Sequence, residues 1–284
     1  HLPGLNSLWV EANPVNPTTG NYDQLEQYHF NNIAQRFFYV ESDKYNPLLD
    51  VTFDGVHILD GDIVSAKPEI VIQLKDENKY FALDDTSLFA VYITSVETGV
   101  EKRVYFTENG QENMKWVPAQ LPNNSSRIHY YPVFATDGKY QLRVQARDKS
   151  NNESGDNDYF VNFEVINKST ITEIFNYPNP FSTATKFVFE LTGSEIPTDF
   201  RIQILSVTGK LVKTISLEEL GNIHIGRNIT DYVWDGTDDY GDKLANGVYF
   251  YHVITSINGQ SIEKRATAGD KYFKHGFGKL YIMR

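Results

Sequence analysis

Short stretches in which hydrophobic and polar residues alternate recur along nearly the whole chain. The clearest of them are residues 69–74, 88–93, 140–145, 160–165 and 201–204, which are rich in β-branched and aromatic side chains. Alternation with a period of two places one face of a strand on a core and the other toward solvent. The pattern therefore predicts β-strands, and no long helical stripe interrupts them.

Turn signals separate these predicted strands at regular intervals. They are the dipeptides Asp54-Gly55, Asp60-Gly61, Asn109-Gly110, Asp137-Gly138, Asp235-Gly236, Asn246-Gly247 and Asn258-Gly259. Asn and Asp tolerate the positive φ angles of tight hairpins, and Gly adopts them without steric cost. Repeated strand, turn and strand predicts an all-β fold of tandem immunoglobulin-like β-sandwich domains. One helical turn is expected at 216–221, where Ser216 and Glu219 have capping-box spacing.

Two breaks in the strand pattern suggest where the domains begin and end. The pattern restarts after residue 45, and the polar run Asn167-Lys168-Ser169-Thr170 separates two apolar segments. We therefore expect one complete sandwich at 46–167 and a second at 171–284. Residues 1–40 are too few for a sandwich of their own. They are interpreted as the end of a preceding β-sandwich domain, with added strands of the 46–167 domain as the alternative.

Composition excludes several classes of function. Among 284 residues, 26 Lys and Arg face 37 Asp and Glu, which gives a net charge of −11. Such a chain repels phosphate backbones, so no nucleic-acid partner is expected. The absence of cysteine excludes disulfides, thiolate nucleophiles and cysteine-ligated metals. No apolar run approaches the roughly 18–20 residues of a membrane-spanning helix, so no transmembrane segment is expected.

Motifs for catalysis are missing from the sequence. The seven histidines form no HExxH motif, and neither a GxSxG elbow nor a phosphate-binding loop is present. His57, His129 and His252 fall in β patterns, where an ordinary packed or surface histidine is expected. We predict that the chain is not an enzyme and has no catalytic residues.

Two acidic clusters raise the question of calcium. Residues 234–242 collect carboxylates that could offer oxygen ligands, but they lack the terminal bidentate Glu of an EF-hand loop. The favoured interpretation is a solvated turn in which Asp side chains cap backbone amides. A second group is expected to decorate the connection between the last two strands of the 46–167 domain: Asp148, Asn151, Asp156 and Asp158. Neither a metal site nor a cofactor is predicted, and calcium is the one ion that stays open.

Residues 171–284 carry motifs that occur together in one family. They are Asn176-Tyr177-Pro178-Asn179-Pro180-Phe181, the strand at 186–191, Trp234-Asp235-Gly236, the strand at 246–251 and the closing Gly278-Lys279-Leu280-Tyr281-Ile282-Met283-Arg284. This set resembles the type A C-terminal sorting domain of proteins exported by the type IX secretion system of Bacteroidetes. The middle of the segment is also similar to the immunoglobulin-like domain of the flagellar hook-capping protein FlgD. One departure is the charged, aromatic insertion at 266–276.

Upstream residues resemble parts of large surface proteins. Residues 26–40 look like the end of a bacterial adhesion-type sandwich, and 49–55 and 144–148 resemble the ends of an extracellular immunoglobulin-like module. The order is similar to the C-terminal region of gingipain-like cysteine peptidases and PorU-like sortases. The catalytic Cys and His of that family would lie upstream, so the resemblance implies secretion and architecture and no peptidase activity.

The resemblance implies a sorting signal and its partners. The implied signal residues are Pro178, Asn179, Pro180, Gly247, Tyr249, Lys279, Leu280, Ile282 and Arg284. Leu280 and Ile282 are expected to pack inward, while Lys279 and Arg284 face a partner. The implied partners are the type IX machinery, namely a PorV-like outer-membrane shuttle, the translocon and a sortase. The implied location is extracellular or the cell surface, after passage through the periplasm and the outer membrane.

The basic charge of residues 264–284 supports two interpretations. Six basic residues, Lys264, Arg265, Lys271, Lys274, Lys279 and Arg284, are opposed by Asp270. They could orient the chain toward an acidic receptor, or they could protect an exposed edge strand from aggregation. The alternative function is a calcium- or carbohydrate-binding adhesion module of a cell-surface protein, built on the 234–242 loop.

Overall fold

The structure is a computed structural model that describes residues 3–172, 174–265 and 277–284. The insertion at 266–276, with Lys271, Lys274 and Asp270, lies outside the described residues. The fold is all-β, with tandem immunoglobulin-like sandwiches, as the alternation predicts.

A separate two-stranded sheet precedes the sandwiches. β1 (Gly4–Glu11) and β2 (Ile33–Val40) pair antiparallel over their full length and with no other described strand. Their large apolar side chains, such as Trp9 and Phe37, are more than half exposed. In the described residues, this pair therefore forms a sheet of its own and adds no strand to the two sheets of the next domain. Each strand makes its backbone hydrogen bonds with the other. Neither strand contributes a residue to the core of the next domain.

The first sandwich consists of two facing sheets and a small hairpin. Its strands are β3 (Leu48–Phe53), β4 (Asp62–Val64), β5 (Ile70–Lys75), β6 (Phe89–Ser95), β7 (Val100–Val104), β8 (Thr107–Glu108), β9 (Gln111–Glu112), β10 (Met114–Val117), β11 (Ser125–Tyr130), β12 (Gly138–Ala146) and β13 (Tyr159–Val165), with a 3-10 turn at Thr86–Leu88. One sheet has the order β10-β11-β5-β3, the other β4-β13-β12-β6-β7, and β8 pairs with β9. Alternate residues of both sheets, including Ile72, Leu142 and Phe163, fill the core between them.

The second sandwich has the same two-layer architecture. Its elements are β14 (Thr170–Ile171), β15 (Phe175–Tyr177), β16 (Lys186–Leu191), β17 (Asp199–Leu205), β18 (Leu211–Ser216), α1 (Leu217–Leu220), β19 (Gly226–Ile229), β20 (Gly247–Ile257), β21 (Gln260–Ser261), β22 (Glu263–Lys264) and β23 (Phe277–Ile282). β16 is central in one sheet, next to β14, β15 and β19. In the other sheet the order is β18-β17-β20, and β21 and β23 both pair with β20. Phe187, Phe200 and Trp234 are fully buried between the layers.

Local chemistry explains where these elements end. Asp54, Asn109 and Asn258 have φ angles of 50°, 53° and 50°, each followed by a Gly with positive φ, as tight hairpin turns require. α1 has the predicted capping box, in which the Ser216 amide donates to Glu219 Oε2 at 2.8 Å. The predicted helical turn is confirmed.

The two sandwiches contact one another directly. Ile63, on β4 of the first, packs against the core of the second. The Ala66 amide donates to the Gly193 carbonyl at 3.1 Å, across the same junction. Gly226 approaches so closely that a Cβ at this position would lie 2.4 Å from the Ile63 oxygen. The junction is therefore a packed contact as well as a covalent connection.

Candidate functional site

The last strand, β23, is held on β20 by six residue pairs, from Gly247 opposite Ile282 to His252 opposite Phe277. Its side chains alternate between the core and solvent. Leu280 and Ile282 are 0% and 1% exposed, as expected for packing residues. Lys279 lies on the exposed face, between Phe277 and Tyr281. A partner that docks on the folded domain can therefore touch Lys279, and it cannot touch Leu280 or Ile282.

Residues 177–181, which we call the opening segment, lie along the edge of β23 that does not pair with β20. Asn179 Nδ2 donates to the Lys279 carbonyl at 2.9 Å, and the Tyr281 amide donates to Asn179 Oδ1 at 3.0 Å. The Phe181 amide then donates to the Tyr281 carbonyl at 3.0 Å, and the Met283 amide donates to the Phe181 carbonyl at 2.8 Å. From Lys279 to Met283, this segment therefore pairs with the edge of β23 that β20 leaves free.

Proline explains why a side chain takes part in this pairing. Pro178 and Pro180 have no amide hydrogen to donate to a strand ladder. Asn179, between them, carries both a donor and an acceptor on its side chain. Pro178, Asn179 and Pro180 are all exposed. Pro178 is held to the domain through its carbonyl, which accepts a hydrogen bond from Thr185 Oγ1 at 2.9 Å.

Trp234 anchors the opening from inside. It is fully buried, its ring lies 5.6 Å from that of Phe181, and its Nε1 donates to the Thr237 carbonyl at 2.9 Å. The Trp234 and Thr185 backbones exchange two hydrogen bonds of 2.9 Å. The prediction that Trp234 is a packing residue is confirmed.

Arg284 is engaged within the domain. Its guanidinium donates to the carbonyls of Leu244 at 2.6 Å, Asp235 at 2.7 Å and Gly236 at 3.2 Å. Its backbone exchanges two further hydrogen bonds with the Asn246 side chain. Its guanidinium is therefore hydrogen-bonded to the domain's own loop carbonyls, although Arg284 remains exposed.

Gly247 and Tyr249 begin β20. Gly247 is exposed, whereas Tyr249 is half-buried against the core and donates its hydroxyl to the Ala245 carbonyl at 3.0 Å. Arg265, another residue of the expected basic segment, forms an ion pair with Glu190. Two of the expected basic groups, Arg265 and Arg284, thus have intramolecular partners, and Lys279 is the exposed positive charge on the outer face of β23.

Gly278 is a site residue that sequence patterns do not identify. A Cβ at this position would lie 2.2 Å from Cζ of Tyr251. Tyr251 is buried and donates its hydroxyl to the Ile174 carbonyl at 2.5 Å. The tyrosine ring therefore requires glycine opposite it. The sequence shows only a glycine inside a strand, a position at which another part of the chain can approach the backbone closely.

Carboxylates of the 234–242 loop cap backbone amides, as the favoured interpretation predicts. Asp235 Oδ1 accepts hydrogen bonds from the Thr237 amide and hydroxyl. Asp238 Oδ1 accepts from the Tyr240 and Asp242 amides, both at 2.9 Å. Their oxygens are turned toward the loop's own backbone.

Asp148 lies in the connection between β12 and β13, as expected, but it is buried. It is 1% exposed, and its Oδ1 accepts hydrogen bonds from the amides of Ser150 and Asn152 at 2.7 and 2.8 Å. Burial here depends on the packing of strand ends that are distant in sequence, which local composition does not reveal. Asp158 instead pairs with Arg143 at 2.9 Å.

The three histidines that fall in β patterns each lie against a neighbouring side chain. His57 Nε2 lies 2.7 Å from Asp50 Oδ1, and His252 packs at 4.9 Å from the Phe277 ring. His129 Nδ1 lies 2.8 Å from Glu69 Oε1, which also accepts from the Tyr131 hydroxyl at 2.7 Å. The hydrogen bonds from His129 and Tyr131 lower the pKa of Glu69, although partial burial opposes them. The same carboxylate raises the pKa of Tyr131.

The fold defines a chain of immunoglobulin-like modules, and known structures contain similar arrangements. PorU from Porphyromonas gingivalis, in its dimeric latent form, is 15% identical, with a TM-score of 0.32; the match covers 88% of this chain and 22% of PorU. SGBP-B of the Bacteroides ovatus mixed-linkage glucan utilization locus, in complex with a mixed-linkage heptasaccharide, is 13% identical, with a TM-score of 0.25 and coverage of 99% and 53%. The fibronectin(III)-like modules of Clostridium thermocellum CbhA are 12% identical, with a TM-score of 0.23 and coverage of 82% and 94%.

These likenesses are distant. This chain spans about a fifth of the PorU structure's length, and all three TM-scores lie below 0.5, so they identify no ligand or activity. No protein-family profile and no curated protein sequence matches the chain. Within the described residues, no helix is long and apolar enough to cross a membrane.

Proposed function

We propose that residues 171–284 are a type IX secretion sorting domain and that residues 46–167 are a rigid, non-catalytic spacer of a large exported protein. The observation that carries the proposal is the joining of three motifs into one structural unit. The opening at 177–181, β20 and β23 are separate in sequence, and they meet through the Asn179 and Phe181 hydrogen bonds and the β20–β23 ladder. A receptor would meet all three on one side of the domain.

The outer face of this unit offers the recognition surface. Lys279 lies there between Phe277 and Tyr281, which are 37% and 39% exposed. Tyr177, in the opening segment, is 75% exposed. A positive charge flanked by aromatic rings suits an acidic, partly apolar receptor. Leu280, Ile282 and Tyr249 support this face from within, and Arg284 is hydrogen-bonded to the neighbouring loop.

The remaining residues take structural roles in this proposal. The packed contact of Ile63 with the second core would hold the spacer and the sorting domain at a fixed angle. The exposed apolar side chains of β1 and β2 suit burial by further strands, so we assign residues 1–40 to the end of another sandwich. The partners are the PorV-like shuttle, the translocon and a sortase, and the destination is the cell surface or the medium.

The proposal is tested by reversing the charge of Lys279. The whole chain is expressed behind a periplasmic export signal in a type IX-competent host, as the parent and as Lys279→Glu. We expect the exposed substitution to change stability by no more than about 0.5 kcal/mol. Surface delivery should fall by roughly tenfold, the lower end of electrostatic steering effects, with the folded variant accumulating in the periplasm.

A matched control is Lys210→Glu, which makes the same charge change at an exposed turn of the same domain. Its delivery should equal that of the parent. Parental delivery of folded Lys279→Glu would contradict recognition of this charge. Retention of the unmodified chain in the periplasm would contradict the sorting function itself.

A further inference from the structure

Three carboxylates from separate segments converge at one end of the first sandwich. Asp43 lies in the connection between β2 and β3, Asp76 directly follows β5, and Asp148 follows β12. One oxygen of each lies within 4.8 Å of the others. β5 and β12 belong to facing sheets, so the cluster sits where both layers and the incoming connection meet.

Two of these carboxylates are buried, and one oxygen of Asp76 lacks a hydrogen-bond partner. Asp76 is 7% exposed and Asp148 is 1% exposed. Both oxygens of Asp148 accept hydrogen bonds, from Ser150 and Asn152. Asp76 Oδ2 accepts one from Asn124 Nδ2 at 3.3 Å, whereas the buried Asp76 Oδ1 has no hydrogen-bond partner. A buried polar atom without a partner is rare in folded proteins, and a bound water or ion is a common explanation.

The negative charge of the cluster is uncompensated. In the described part of the chain, no Lys, Arg or His forms an ion pair with Asp43, Asp76 or Asp148. Burial raises the pKa of Asp76, the nearby charges of Asp148 and Asp43 raise it further, and backbone amides of Asn78 and Glu77 oppose them. Clustered carboxylates that lose water without gaining a cation destabilise the fold.

We propose that Asp43, Asp76 and Asp148 bind one calcium ion. Ca²⁺ takes six to eight oxygen ligands at about 2.3–2.6 Å, so ligands on opposite sides are about 4.6–5.2 Å apart. Oxygens within 4.8 Å of one another can therefore share a single Ca²⁺. Mg²⁺ keeps several waters and usually binds through one or two carboxylates, so a set of three carboxylates suits it less well. Water completes the coordination shell.

The ion would fasten the connection between β2 and β3 to the sandwich. Two hydrogen bonds already hold Asp43 there: Asn78 Nδ2 donates to its Oδ2 at 2.6 Å, and Asn152 Nδ2 donates to its carbonyl at 3.3 Å. Calcium adds a charged link at the same point, which fixes the orientation of the β1–β2 sheet. This site lies in the first sandwich, so it stands or falls independently of the sorting proposal.

The test is calcium titration of the full chain after removal of metal by a chelator. Calorimetry should show one Ca²⁺ per chain. At a hundredfold excess over Kd, the melting temperature should rise by about 5 °C or more. Asp76→Asn should abolish the heat of binding. In chelator, this variant should melt at or above the parental temperature, because it removes a repelling charge; a purely structural Asp76 would instead lower it in both conditions.

The control is Asp238→Asn, which alters a half-buried carboxylate of the 234–242 loop and should leave calcium binding unchanged. If Asp76→Asn does not fold, Asp43→Asn replaces it, because Asp43 is only half-buried. The proposal is overturned if the parent binds no Ca²⁺ at about 10 mM, roughly tenfold above the weakest extracellular modules. It is also overturned by parental calcium affinity in the folded variant, or by equal affinity for Mg²⁺.

Discussion

A single side chain, that of Asn179, pairs with part of the free edge of β23. Its amide group donates to the Lys279 carbonyl and accepts from the Tyr281 amide, the two bonds that a neighbouring strand would make. The sequence marks Asn179 only as part of the opening motif. Nothing in its spacing indicates which distant strand receives its hydrogen bonds, because that contact depends on tertiary packing. Asp76 was missed for the same reason.

At this scale, Glu69 gives a prediction about acid stability. Hydrogen bonds from His129 and Tyr131 lower its pKa in the folded state, so the charged form stabilises the fold above the ordinary Glu pKa of about 4.3. That contribution is lost as the pH falls through the depressed pKa. Glu69→Gln should therefore be less stable than the parent at pH 7, and the difference should shrink in acid. Urea unfolding across this pH range measures it.

The matched control is Glu101→Gln, another exposed carboxylate on the first sandwich, which pairs with Arg143 and leaves the Glu69 cluster intact. A Glu69→Gln curve that stays parallel to the parent's down to the lowest pH would contradict the prediction.

At the scale of elements, the alternating pattern predicts the long strands and misses the short ones. The stretches 69–74, 140–145 and 160–165 correspond to β5, β12 and β13, because each buries alternate apolar residues. β14 and β22 have only two residues each, too few to show a period. The alternating pattern also does not reveal how closely β23 packs on β20, because that packing depends on Gly278 lying opposite Tyr251.

Gly278→Ala should loosen β23 from the sheet. The added methyl group would overlap the Tyr251 ring, which is buried and hydrogen-bonded to the Ile174 carbonyl and cannot withdraw easily. Overpacking of this kind costs about 1–3 kcal/mol of unfolding free energy. Gly155→Ala, whose Cβ would make only an ordinary contact of 3.5 Å with the Asn157 carbonyl, serves as the control. Equal urea midpoints for the two variants would refute this account.

At the scale of the whole molecule, the sequence suggests two sandwiches and is silent about their contact. The polar run at 167–170 indicates a boundary, yet Ile63 and Gly226 meet across the junction although they are far apart in sequence. Such a contact involves a few scattered residues from each side and leaves no periodic pattern. The sequence therefore does not predict the angle between the two sandwiches.

Gly226→Ala should separate the two sandwiches without unfolding them. Its methyl group would collide with the Ile63 carbonyl at 2.4 Å, so the interface must open. We expect a larger radius of gyration by small-angle X-ray scattering and faster hydrogen exchange at the Ala66 amide. Gly241→Ala is the control, because Gly241 also has a positive φ of 90° but no atom within 4 Å of the added Cβ. An unchanged radius of gyration for Gly226→Ala would contradict this prediction, because the interface would then accommodate the added methyl group.

The pairing of Phe181 with β23 has a mechanical consequence. The bridge between Phe181 and Ile282 is parallel, so tension that pulls upstream on the opening and downstream on the end of β23 slides the two segments along each other. The hydrogen bonds between them then bear the load together, whereas in a peeling geometry they would break one after another. A domain closed in this way resists stretching along the chain, and resistance to pulling is governed by the rate of forced unfolding. A protein tethered at a surface and dragged by flow would gain its strength from these few bonds.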